Sequence, residues 1–81
     1  MSNEIKSSAE LEKHLVSNHR YLRSAAVALG LTSNADYHLY RRVVRGESRN
    51  HRVITLLKVR YPAINVHALW GITEEELRQA V

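Results

Sequence analysis

The sequence predicts an all-α fold of five or six short helices, and three observations carry that prediction. Apolar residues recur at helical spacing, as at Leu22, Ala25, Ala26 and Leu29, and no segment alternates in the manner of a strand. Residues suited to N-capping precede the apolar runs: Ser7, the Thr32-Ser33-Asn34 run, Asn50, Asn65 and Thr73. Helix stops follow them, at Gly30, Gly46, Pro62 and Gly71. An 81-residue chain makes a single domain, spanning 1–81.

Residues 1–6 read as loose. Ser7 with Glu10 three residues on is a capping-box pattern. It opens a first helix, Ser8 to about Val16, with Leu11, Leu15 and Val16 on one face. Ser17-Asn18 is expected to break it, with Asn18 capping a second helix from His19 to Leu29. Gly30 is placed to stop that helix in the left-handed conformation, with Leu31 folding back onto it. Asp36 in the first turn suits the positive end of the third helix, about Asn34 to Arg45. Its inward residues are expected to be Ala35, Leu39, Val43, with Tyr40 and Val44. Val53, Ile54, Leu57 and Tyr61 form the inner face of a fourth helix, about His51 to Tyr61, ended by Pro62. A short helix over Val66–Trp70 and a last one over Glu74–Ala80 complete the chain. The expected core is Leu22, Ala26, Leu29, Leu39, Val43, Ile54, Leu57 and Leu69.

Charge placement bears on function. The chain carries 12 Lys and Arg against 8 Asp and Glu, a net +4. Between Lys13 and Thr73 there are ten cations and only two acids, Asp36 and Glu47, a local +8. The other acids lie toward the two ends. A basic middle with acidic flanks suits a polyanionic partner. Arginine outnumbers lysine nine to three, and its planar fork matches phosphate and guanine edges. The absence of cysteine excludes disulfides and thiolate metal sites. No apolar run is long enough to span a bilayer, and the polar N-terminus lacks signal-peptide order, so the expectation is a soluble cytoplasmic protein.

The stretch Leu22–Gly46 concentrates these signals: a helix of small residues, a glycine-marked turn, and a basic helix ended by a second glycine. The order Ala26-x-x-Leu29-Gly30-Leu31-Thr32, a following helix ending at Gly46, then an apolar helix, resembles the lambda-repressor-like helix-turn-helix domain of phage repressors, the Cro type included. The tail Tyr61-Pro62-Ala63-Ile64-Asn65 with Leu69 and Gly71 is similar to one found in some of them. The sixteen residues from Gly30 to Gly46 exceed the family's usual spacing by about one helical turn.

The resemblance implies a duplex-DNA-binding regulator, of the repressor kind, with the third helix in the major groove. On that reading Thr32, Ser33, Asn34, Tyr37, His38, Arg41, Arg42 and Arg45 face DNA. Asn34 suits adenine, Arg41 or Arg42 suits guanine or phosphate, and Tyr37 and His38 bond phosphate or stack. Arg20, Arg23, Arg49 and Arg52 flank the turns as backbone contacts. For Tyr40, packing is the preferred reading. Two other classes stand beside this one: a nonspecific nucleic-acid binder, and a small protein-interaction module such as a phage inhibitor or antitoxin-like adaptor.

No catalytic, metal or cofactor site is expected, nor a small-molecule substrate. His14, His19, His38, His51 and His67 show no i, i+4 pairing and no HExxH pattern. The serines lie in caps and turns. Trp70 either closes the core or joins Leu69, Ile72, Leu77 and Val81 in a dimer surface. The second is the expectation, because a reader with one recognition helix gains specificity from two copies.

Overall fold

The computed structural model describes residues 4–79, and within them the chain is all-α. Six helices follow one another: α1 (Ser8–His19), α2 (Leu22–Ala28), α3 (Asn34–Val44), α4 (His51–Arg60), α5 (Val66–Trp70) and α6 (Glu74–Gln79). Helix α1 packs on α2 and α3, α3 also packs on α2 and α4, and α6 packs on α4.

Side-chain oxygens start most of these helices. Ser7 accepts from the Glu10 N–H, Ser33 from Asp36, Asn50 from Val53, Asn65 from Ala68 and Thr73 from Glu76. Each satisfies a donor that has no partner within the first turn. Of the three residues expected to compete for the α3 cap, Ser33 holds it.

Helix α2 ends in a Schellman turn. The Leu31 N–H reaches back to the Ala26 carbonyl and the Gly30 N–H to that of Val27, while Gly30 sits at φ +85°. Gly46, at φ +79°, closes α3 in the same way. The sixteen-residue spacing is thus absorbed by α3 itself, while the turn before it is Leu29–Ser33.

The junction of α1 and α2 differs from the sequence expectation. Helix α1 runs to His19 rather than stopping at Val16. The Asn18 amide donates to the His14 carbonyl one turn back, so it stays inside α1 instead of capping α2. Arg20 makes the break, at φ +69°, and α2 begins at Leu22 with no side-chain cap. Val16 is exposed, because it lies about 100° round the helix from the buried Leu15. Ala35 is also exposed, seven residues before Arg42 and on the same outward side of α3.

The core gathers Leu11, Leu15, Ala26, Tyr40, Val43, Val53, Ile54 and Leu57 around the helix crossings. Of the eight core residues expected, Ala26, Val43, Ile54 and Leu57 are fully buried, while Leu22, Leu29, Leu39 and Leu69 pack half-buried at its margin. Leu31 and Tyr40 fill the places nearer the centre.

Two features seal the C-terminal half. The Trp70 indole donates to the Val43 carbonyl at 2.8 Å and is buried, as are Ile72 and Leu77. These three side chains therefore close the core instead of forming a dimer surface, while Leu69 of the same expected group is half-buried at the margin and Val81 falls outside the described residues. The N-terminal segment is not loose at Ile5. Its N–H donates to Ala63 and its carbonyl accepts from Asn65, a parallel bridge that buries Ile5 beside Ile64. Lys58 fixes the same region, its ammonium donating to the Pro62 and Ile64 carbonyls at 2.8 Å each and pairing with Glu74 at 3.1 Å. Residues 1–3 of the segment read as loose lie outside the described residues.

Candidate nucleic-acid interface

Helix α3 buries one side and presents the other. Tyr40, Val43 and Val44 point into the core. Turning 100° per residue puts Asn34, His38, Arg41 and Arg45 on the opposite side, at i, i+4, i+7 and i+11, with Arg42 beside them. All of these are exposed except Arg41, which is half-buried. The stripe is about 16 Å long at 1.5 Å per residue.

The one acid of α3 lies off this stripe and is neutralised. Arg52, at the start of α4, donates to the Asp36 carboxylate at 2.9 Å. The sequence reading made Arg52 a backbone contact; its guanidinium is engaged here, and the pair joins the first turns of α3 and α4.

A second cluster forms where α2 meets the start of α3. Arg23 donates to Asn34 Oδ1 at 3.1 Å. Its guanidinium lies 4.8 Å above the Tyr37 ring, and that of Arg41 lies 5.8 Å from the same ring. Behind them Tyr37 stacks on the buried Tyr40, centroids 6.4 Å apart. Aromatic rings attract cations at their faces, so a core-anchored stack holds the exposed Arg23 and the half-buried Arg41 against it. Tyr37 is half-buried, packed between core and surface rather than wholly outward.

The remaining candidates are more dispersed. Thr32 and Ser33 are exposed in the turn, and Ser33 is occupied as the cap. Arg49 lies against Gly71, near the C-terminal end of α5. Arg20 lies at the end of α1 over the Tyr21 ring, 5.5 Å away. The structure thus brings Arg23, Asn34, Tyr37 and Arg41 together. It sets His38, Arg42 and Arg45 along the same side, and places Arg20 and Arg49 at other helix ends.

The sequence reading did not find the meeting of His14, His19 and Tyr61. His19 Nε2 and the Tyr61 hydroxyl are hydrogen-bonded at 2.6 Å, and His14 meets the Tyr61 ring edge-on at 5.3 Å. Burial pushes the Tyr61 phenol up, opposed by the neighbouring Arg60. These residues tie the ends of α1 and α4 together, and nothing in their spacing of 42 residues announces it. Among the described residues no group of three His, Asp or Glu is placed to hold a metal ion. A shallow groove of about 330 Å³ between α4 and α6 has Lys58 and Glu74 in its lining, already paired to each other. No described helix is long and apolar enough to cross a membrane.

Comparison with family models, with curated proteins and with solved structures finds no match for this chain.

Proposed function

We propose that this protein is a sequence-specific duplex-DNA-binding regulator, of the phage-repressor kind, that inserts α3 into the major groove. The observation that carries the reading is the outward stripe of α3. Asn34, His38, Arg41, Arg42 and Arg45 project from one side of a rigid helix, and the helix's only acid is tied to Arg52. Base edges are read by such side chains on a helix lying in the major groove. The basic middle of the chain supplies the attraction to phosphate. The role carries with it a cytoplasmic location.

A helix of this length covers about five base-pair steps at 3.4 Å each. Two copies on a pseudo-palindromic site would double that footprint, so a homodimer on DNA belongs to the proposal. Its interface would lie elsewhere than at Trp70, Ile72 and Leu77, which are buried within one chain.

Selection from a random duplex pool at physiological salt tests the reading. The expected result is an enriched motif, and electrophoretic shifts on that motif should show binding at least about a thousandfold tighter than on random duplex. A folded protein that enriches no motif would sink it. Retention by an acidic protein partner with no duplex affinity would put the protein-interaction module in its place.

A further inference from the structure

We infer that Arg23 and Asn34 act as one unit that reads guanine, with Arg23 as the base-contacting group and Asn34 as its positioning residue. The inference rests on the DNA-binding reading above and fixes which base meets the start of α3.

The geometry argues against the simpler assignment of Asn34 to adenine. An asparagine reads adenine by accepting from the N6 amino group through Oδ1 while donating to N7 through Nδ2. Here Oδ1 already accepts from Arg23 at 3.1 Å. Oδ1 keeps a second lone pair, but an adenine amino group reaching it would approach beside the guanidinium cation, one donor next to another. Guanine presents the reverse pattern, two acceptors at O6 and N7. Arg23 uses one donor on Asn34 and keeps four of its five N–H groups for such a pair.

The guanidinium is also held in place before any DNA arrives. The Tyr37 ring lies 4.8 Å beneath it, and Tyr37 is itself backed by the buried Tyr40. A flexible arginine at the surface loses conformational freedom when it binds, whereas one clamped between an amide and a ring has already lost much of it. An oriented fork can also hold phosphate, but the start of a helix lying in the major groove is where base edges come within reach. A cation clamped beside the first residue of α3 suits a directional contact with a base edge.

The test is selection from random duplex DNA with the wild-type protein, Arg23→Ala, Asn34→Ala and Asn34→Asp, each checked for folding by circular dichroism. Arg23 and Asn34 are both exposed, so their replacement leaves the core intact. The wild type should return a motif with a guanine whose preference is about tenfold or more over other bases. Arg23→Ala should lose that preference and keep the rest of the motif. Asn34→Ala should weaken it, while Asn34→Asp, which keeps the acceptor for Arg23 and removes the amide donor, should retain it. Replacing that guanine with 7-deazaguanine, which lacks N7, should weaken wild-type binding about tenfold and leave Arg23→Ala unchanged. The proposal fails if no motif position depends on Arg23. It also fails if the affected position is an adenine that Asn34→Asp abolishes. In both cases the DNA-binding reading survives, whereas a wild type that enriches no motif overturns both.

Discussion

Leu57 is fully buried where α4 meets the rest of the core. Shortening it to alanine should cost about 2–5 kcal/mol, from lost burial and the cavity left behind. A shift below about 0.5 kcal/mol in urea melts would show that neighbouring side chains refill the space. Tyr40 makes a different test. Its side chain is buried, its hydroxyl has no hydrogen-bond partner among the described residues, and burial raises its pKa well above that of a free phenol. The unfolded chain releases this proton near pH 10, while the folded chain holds it. Stability from Tyr40 is therefore fully present below pH 10 and is lost as pH rises from there toward the folded-state value. Tyr40→Phe should show a shallower loss of stability above pH 10 than the wild type. At neutral pH it should cost little, because no hydrogen bond is given up. Equal slopes for the two proteins in alkaline denaturant melts would contradict this.

At the scale of elements, the turn between α2 and α3 sets the orientation of the outward stripe. Gly30 holds φ +85°, and a Cβ added there would meet nothing within 4 Å. The cost of Gly30→Ala is thus purely conformational, about 1–2 kcal/mol. Gly30→Asn should cost less, since asparagine tolerates the left-handed region, and thermal melts of the two variants should rank them so. Helix α6 is the other element to test. Ile72 and Leu77 are buried, so removing residues 72–81 should lower the melting temperature rather than only separate a dimer. An unchanged melting temperature would show that α6 is dispensable to the core. The helices were legible in the sequence because their caps and stops are local. Ser33, Asn50, Asn65 and Gly46 each act within four residues of their own position. The α1–α2 boundary was not, because Asn18 has two local options and Arg20 adopts a backbone conformation that its residue type does not announce. The candidate site divides in the same way. The outward side of α3 follows from periodicity, but the Arg23–Asn34 contact joins residues eleven apart in different helices. Only the geometry of the turn shows it. Trp70 was legible as a core or surface residue, and its bond to the Val43 carbonyl, 27 residues away, decides for the core.

For the whole molecule, the proposed function turns on a field rather than on single contacts. Each phosphate neutralised on binding releases counterions, so log K against log salt should fall with a slope of about −0.9 per contact. The pairing of Arg52 with Asp36 gives this argument a sharp form. Arg52 is exposed and Asp36 half-buried at the surface, so breaking the pair should change stability little. Its effect on DNA should be larger. Arg52→Ala removes a cation and also leaves the Asp36 carboxylate unpaired at the first turn of α3. Affinity should fall for all sequences alike, because the net charge of the pair goes from zero to minus one. The double variant Asp36→Ala/Arg52→Ala should recover part of that loss, because the unpaired acid goes with its partner. Fluorescence anisotropy on the selected motif and on random duplex, across a salt series, measures the wild type and both variants. Recovery in the double variant would tie Asp36 to the DNA-facing field. If binding is as weak in the double variant as in Arg52→Ala, Arg52 acts through its own phosphate contact, as the sequence alone suggests. A slope near zero for the wild type would remove phosphate from the interface and the DNA-binding proposal with it.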